Sequence, residues 1–251
     1  QGLPDTVYEI RAAEDVVTPD GTLRYSKGEL VDTVTTDEMG FAESKELYLG
    51  KYEVKEVKAG YGMVLSDEVH TVELIYAGQN VAVTETATSF VNERQKVEVS
   101  LEKALETSEL FGIGNNGEIK NISFGLFADE ELVSASGTSI PKDGLIEIIT
   151  LDENGKATVK TDLPLGSYYV KELATDEHYQ LSSEKYPVVF EYAGQETATV
   201  AIAVNNGEPM ENKLIYGSVS GKKVDENGEG LGGALIGLFK SDDVAVSYTH
   251  L

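Results

Sequence analysis

Three residue types, lysine, glutamate and asparagine, recur in this sequence at positions that could support one reaction. The similar segments KYEVKEV and SYYVKEL each carry a glutamate near their end, at Glu56 and Glu172. The segment VEVSLEK ends at Lys103, and MENKL contains Asn212. An unprotonated lysine amine is a nucleophile, a glutamic acid donates a proton, and an asparagine amide offers a carbonyl and an ammonia leaving group. Held together, the three could form an isopeptide bond within the chain.

Strand parity predicts that these polar residues point inward. Successive side chains of a strand face opposite sides, so Glu172 shares a face with Tyr168 and Val170. By the same alternation, Lys103 shares a face with the valines and leucine of its segment. Burial of charged groups is costly and favours an ion pair or pKa shifts that neutralise both groups. Proximity could then remove about 7–11 kcal/mol of the reaction barrier.

These segments belong to an internal repeat with an offset of 116 residues, which also superposes YAGQ at 76–79 on YAGQ at 192–195. Asn92 precedes Lys103 by 11 residues, and Asn212 precedes Lys223 by the same spacing. We therefore predict three repeats. Repeat one (1–95) lacks its first strand, repeat two (96–215) is complete, and repeat three (216–251) is the start of another unit. The final residues, VSYTHL, fit no part of the repeat and resemble a translated adapter tail.

Composition predicts an all-β protein. The 251 residues include many Val, Thr, Tyr and Ile, 25 Gly and only 6 Pro, without sustained helical apolar spacing. Short alternating runs are separated by turn sequences such as DENG at 152–155 and 225–228. These loops lack the ligand run of an EF-hand, so we interpret them as hairpin turns rather than calcium sites. About seven strands per repeat indicate a two-sheet sandwich.

Charge and cysteine content exclude several function classes. A net charge of −24 disfavours binding to nucleic acid or anionic lipid. The absence of cysteine excludes disulfides, zinc thiolate sites and thiol nucleophiles. Three scattered histidines without a nucleophile motif disfavour a turnover enzyme. No cofactor, metal site or membrane span is predicted.

The sequence resembles tandem Cna B-type (SpaA-like, prealbumin-like) domains of Gram-positive surface proteins and pilins. The resemblance is carried by KKVDENGEGLGGALIGLF from residue 222, by TLDENGKATVKTDLPLGSYYVKELATDEHYQL from residue 150, and by ENK at 211–213. It implies a reactive lysine on the first strand, a catalytic acid on the YVKE strand and an acceptor on the last strand. By position, the family roles fall on the lysines Lys103 and Lys223, the acids Glu56 and Glu172, and the acceptors Asn92 and Asn212.

Repeat two departs from the family pattern in two places: ALE follows Lys103 where VD is expected, and residues 107–120 are an insertion. It is still the one repeat with a full set, so Lys103 to Asn212 is the bond expected to form. We expect the lysine partner of Asn92 to be missing upstream and the acceptor for Lys223 to be missing downstream.

The resemblance implies tandem Ig-like or prealbumin-like β-sandwiches at the cell surface or cell wall, with signal and anchor outside this fragment. The function implied is a structural stalk or pilin-like segment, whose partners are neighbouring domains of the same array. The alternative is an adhesin module that binds a host matrix protein or glycan, for example through the insertion, whose one aromatic residue is Phe111. Glu172 would catalyse a single event on its own chain, which is not enzymatic turnover.

Overall fold

A computed structural model describes residues 2–110, 112–134 and 137–237 and confirms the all-β prediction. The first strands are β1 (Val7–Ala12), β2 (Val16–Val17), β3 (Leu23–Tyr25), β4 (Leu30–Thr35), β5 (Gly50–Lys58) and β6 (Val69–Leu74). They are followed by β7 (Lys96–Leu105), β8 (Ser123–Ala128), β9 (Leu132–Val133), β10 (Ser139–Ile140), β11 (Leu145–Thr150), β12 (Lys156–Val159), β13 (Gly166–Ala174), β14 (Lys185–Phe190), β15 (Thr199–Ala203) and β16 (Met210–Asn212). Short 3₁₀ turns lie at Glu118–Asn121 and Val204–Gly207. Phe111 and the tail VSYTHL lie outside the described residues.

The chain divides into two compact parts, Gln1–Leu214 and a second that begins at Ile215. All of the strands named above lie in the first part. The described residues of the second part contain turns and one isolated bridge between Val224 and Gly230. No helix in the described part of the chain is long and apolar enough to span a membrane.

Repeat two forms a sandwich of two sheets. One sheet has the strand order β11-β8-β13-β14, and the other has β12-β7-β15, with β16 pairing parallel to the end of β7. β7 is central because its alternating valines and leucine supply one inner face, and Val97, Val99 and Leu101 are all buried. The opposite inner face includes Phe124, Leu126, Tyr168 and Val170, which belong to the same core.

Repeat one has one four-stranded sheet, with the strand order β4-β1-β5-β6, and a small two-stranded sheet of β2 and β3. Its buried apolar cluster is smaller and consists of Ile10, Ala12, Val16, Val31 and Tyr52. Residues 75–93 are all described and form no strand, although their counterparts in repeat two include β15 and β16. A sheet like that of β12, β7 and β15 is therefore not formed from the described residues of repeat one.

The DENG loops are hairpin turns in which the aspartate carboxylate accepts hydrogen bonds from the backbone amides two and four residues further along the chain. Asp152 Oδ1 accepts from the amides of Asn154 and Lys156 at 2.8 and 2.9 Å, and Asp225 Oδ1 accepts from Asn227 and Glu229 in the same way. Such Asx turns use the carboxylate oxygens locally. Within the described residues, no group of acidic and histidine side chains has the arrangement of a metal site.

The second copy of the YAGQ motif, at 192–195, forms part of the joint between repeats one and two. Gln195 Oε1 accepts from the amide of Ala59 at 2.9 Å. From the other side, Gln95 Nε2 donates to the carbonyls of Gly194 and Thr197 at 3.0 and 2.6 Å. This copy of the motif therefore links repeat two to repeat one.

Candidate functional site

Lys103 is held inside the sandwich by β7. The strand alternates buried and more accessible residues up to Lys103, which is only 4% exposed. Its backbone amide donates to the carbonyl of Gly155 at 2.8 Å, which ties the strand to the DENG turn. Its Nζ lies over the ring of Phe124, 5.7 Å from the ring centroid, in a cation–π arrangement.

Glu172 is positioned near the end of β13, on the facing sheet. In the β13–β8 ladder it pairs with Phe124. Its side chain lies on the same inner face as those of Tyr168 and Val170, and the residue as a whole is 2% exposed. Oε2 accepts from the backbone amide of Ser182 at 2.8 Å, which fixes the orientation of the carboxyl group.

Asn212 is positioned by β16, whose parallel pairing with β7 places Met210 opposite Lys103. Its Nδ2 donates to Oε1 and Oε2 of Glu172 at 2.8 and 3.0 Å and to Thr175 Oγ1 at 2.9 Å. Its Oδ1 accepts from Lys103 Nζ at 2.6 Å. The three side chains predicted from the sequence therefore meet at one point in the core.

Burial of the site works against the charged form of Lys103. The side chains of Lys103 and Glu172 are 1% and 0% exposed, with Nζ 3.3 Å from Oε1. Burial lowers the pKa of Lys103 from its ordinary value, and the neighbouring Glu172 carboxylate opposes that shift without cancelling it. Glu172 Oε1 contacts both Lys103 Nζ and Asn212 Nδ2. One oxygen atom can thus take a proton from the nucleophile and give one to the leaving group.

Repeat one brings together the matching pair of Glu56 and Asn92. Asn92 Nδ2 donates to Oε1 and Oε2 of Glu56 at 2.9 and 2.7 Å and to the carbonyl of Val64 at 2.9 Å. Glu56 is 1% exposed, and its Oε2 accepts from the amide of Ser66 at 2.8 Å. None of the hydrogen bonds among the described residues joins a lysine to this pair.

Lys223 lies in the compact part that begins at Ile215, where its side chain is exposed. Its backbone carbonyl accepts from the amide of Leu231 at 2.9 Å within a short turn. Among the described residues of that part, no glutamate or asparagine is hydrogen-bonded to it.

Sequence reasoning missed the groups that orient the acid and the acceptor. Thr175 is among them, and nothing in its local sequence marks it. Ser66 and Ser182 do carry a signal, because they are related by the same offset of 116 residues as Glu56 and Glu172. Both serine amides donate to the buried glutamate carboxylate of their own repeat at 2.8 Å.

Comparison with known proteins places the chain in a family. The SpaA family, described as a prealbumin-like fold domain, matches residues 1–89 and 112–206. The trypsin-resistant surface T6 protein of Streptococcus pyogenes serotype M6 is 27% identical over 142 residues, which are 55% of this chain and 25% of that protein.

Two solved structures are also similar to the chain. The Bacillus anthracis TIE protein aligns with a TM-score of 0.52 and 22% identity over 86% of this chain and 32% of its own. The minor pilin GBS52 of Streptococcus agalactiae aligns with a TM-score of 0.33 and 17% identity over 89% of this chain and 88% of its own. The chain thus spans about a quarter of the T6 protein and a third of the TIE protein. Because the family match covers well over half of its residues, the chain belongs to the SpaA family of prealbumin-like fold domains.

Proposed function

We propose that this chain is a load-bearing stalk or pilin-like segment of a Gram-positive cell-surface protein, and that repeat two (96–215) crosslinks itself. The carrying observation is the buried contact of Lys103, Glu172 and Asn212, in which Nζ lies 2.6 Å from Oδ1. The family membership and the surface location named for the T6 relative support the setting.

The proposed bond forms between Lys103 Nζ and Asn212 Cγ. Lys103 first gives a proton to Glu172, and the neutral amine attacks the amide carbon. As the tetrahedral intermediate collapses, the Cγ–Nδ2 bond breaks and Glu172 delivers a proton to Nδ2, which leaves as ammonia. The second proton lost by Nζ returns to Glu172. The products are a secondary amide, one ammonia molecule and a protonated glutamic acid, so atoms and charge balance.

Each group has a contact suited to its role. Glu172 Oε1 lies 3.3 Å from Nζ and 2.8 Å from Nδ2, so a proton moves between them through one atom. The amide plane of Asn212 is held by its bonds to Glu172 and Thr175. Burial disfavours the charged amine and excludes water, which would otherwise compete as a nucleophile.

The mechanical consequence follows from topology. Lys103 and Asn212 are 109 positions apart, yet they lie on adjacent parallel strands. A covalent bond between them would let tension pass from β7 to β16 without unfolding the residues in between. This property suits a stalk and would substitute for disulfides, which a chain without cysteine cannot form.

Mass spectrometry of the full chain, unfolded in acid, tests this proposal. The mass of the wild type is expected to be one ammonia below the mass calculated from its sequence. The variants Glu172→Gln and Lys103→Arg are expected to have the full mass calculated from their sequences. An N-terminal glutamine also loses one ammonia when it cyclises, so a protease digest must also show a branched peptide that joins Lys103 to Asn212. Glu211→Gln is the matched control, because Glu211 neighbours Asn212 but is exposed. An intact, unbranched wild type would refute self-crosslinking.

A further inference from the structure

Glu106 directly follows β7 and ends the ALE segment, where repeat two departs from the family pattern. Its backbone amide donates to the carbonyl of Asn212 at 3.0 Å, which continues the parallel ladder of β7 and β16 by one residue. In such a ladder the backbone carbonyl of Glu106 would accept from the amide of Leu214. The side chain takes that place instead, since Glu106 Oε2 accepts from the Leu214 amide at 3.0 Å. Glu106 therefore holds the acceptor segment both at Asn212 and two residues beyond it.

The register of β16 decides which side chain meets Lys103. The strand has only three residues, Met210–Asn212, and they pair with the end of β7. A slip of one residue would turn Asn212 out of the core and bring in one of its exposed neighbours. A slip of two residues, about 6.6 Å along the strand, would replace it by Met210 or Leu214. Neither of these side chains has an amide that the amine could attack, so the reaction requires the observed register.

The other edge of the acceptor segment is held by the loop between β13 and β14. The amide of Gln180 donates to the carbonyl of Lys213 at 2.9 Å, and Tyr179 forms an isolated bridge with Leu214. The Tyr179 hydroxyl donates to the backbone carbonyl of Glu106 at 2.8 Å. That hydrogen bond occupies the carbonyl which the ladder would otherwise use, and it ties the loop to Glu106. The acceptor segment is thus fixed to β7 through Glu106 on one edge and through the loop on the other.

We propose that Glu106 is a positioning residue for the crosslink, which locks β16 in register by accepting from the amide of Leu214. This proposal rests on the self-crosslinking chemistry proposed above. Glu106 acts through the backbone of β16 and exchanges no proton with the reacting atoms. Its loss frees the acceptor amide to move away from Lys103 Nζ, while Lys103 and Glu172 stay in the core. A displacement of about 1 Å is enough to slow a reaction between held groups about 100-fold.

The rate of bond formation in the freshly translated full chain tests the proposal, measured as ammonia loss and as the branched Lys103–Asn212 peptide. Glu106→Ala is expected to slow the reaction about 10–100-fold. Glu106→Gln keeps an oxygen acceptor for the Leu214 amide and is expected to recover the rate to within about threefold of wild type. The matched control is Glu109→Ala, which removes an exposed carboxylate three residues further along and should react at the wild-type rate.

Folding is measured separately in chains that also carry Glu172→Gln and therefore form no bond. Circular dichroism of these chains gives the folded fraction with and without Glu106→Ala, and each rate is expressed per folded chain. Misfolding is then not read as lost positioning.

The outcomes separate this proposal from the self-crosslinking on which it rests. A wild-type rate per folded chain for Glu106→Ala, with the branched peptide present, would overturn the role of Glu106 and leave self-crosslinking intact. A Glu106→Gln chain as slow as Glu106→Ala, or an equal loss of rate in Glu109→Ala, would overturn the hydrogen bond to Leu214 as the cause. Absence of the branched peptide from the wild type would overturn both proposals.

Discussion

Glu172→Gln should convert a repeat that cannot lengthen under force into one that unfolds completely. The change keeps the shape of the side chain but removes the carboxyl group that contacts both Lys103 Nζ and Asn212 Nδ2. The amine and the amide then remain separate, so the first and last strands of repeat two are joined only by hydrogen bonds. These bonds break when the domain is pulled.

The released length follows from the positions of the two residues. Lys103 and Asn212 are 109 positions apart. At about 3.3–3.6 Å per extended residue, this segment has a contour of about 360–390 Å. In the folded state its ends lie on neighbouring strands, whose spacing of about 5 Å is negligible by comparison. The variant should therefore release nearly the whole contour, whereas the wild type should release none of it.

Single-molecule force spectroscopy of the full chain, held at its two termini, measures this difference. Repeat one serves as the internal control, because its extension should be the same in wild type and variant. The crosslink should also lower the chain entropy of the unfolded state, which for a loop of this size raises the free energy of unfolding by about 4–5 kcal/mol. A wild-type chain that releases the long segment at forces that spare covalent bonds would refute the reasoning, even if its mass showed the loss of ammonia.

Three further predictions follow from the surroundings of the site. Gly155→Ala should slow bond formation in freshly translated protein about 10–100-fold. The alanine Cβ would lie 2.4 Å from the carbonyl oxygen of Lys103 and displace β7. The control is Gly228→Ala in the other DENG turn, where the Cβ meets no atom within 4 Å, so the rate should not change. The Glu172→Gln chain should become more stable as the pH rises through the window between two pKa values of Lys103. The lower limit is its lowered pKa in the folded chain, and the upper limit is its ordinary value of 10.5 in the unfolded chain. Within this window the unfolded chain binds a proton that the buried amine does not, so the free energy of unfolding rises with pH. The free energy of unfolding measured by urea titration should lose this pH dependence when Lys103→Met is combined with Glu172→Gln in the same chain. Gln195→Ala should cost about 1–3 kcal/mol in the same titrations by leaving a backbone amide at the joint unpaired, whereas alanine at the matching exposed glutamine of repeat one should cost little.

The candidate site could be predicted in large part because its residues repeat. Strand parity alone places Glu172 with Tyr168 and Val170, and the structure finds all three buried. A single glutamate at a strand end does not by itself predict burial, because most glutamates at strand ends are exposed. The offset of 116 residues relates Glu172 to Glu56, and strand parity places both on the apolar face of their strands, so the two positions support the same prediction. The same offset relates the serines whose amides orient the acids, but backbone donors leave no mark on residue type.

Composition, alternation and the internal repeat by themselves determined the all-β class, the strand faces and the residue types that point inward. These properties are local, because a side chain's face depends only on its place in its own strand. Only the tertiary structure decided that Lys103 Nζ lies 2.6 Å from Asn212 Oδ1. That distance depends on the parallel register of β7 with β16, and pairing between strands so far apart in the chain is set by the packing of the whole sandwich. Tertiary structure also decided that Glu56 and Asn92 meet in repeat one, 36 positions apart in the chain, because their contact depends on how β5 packs against the segment that contains Asn92.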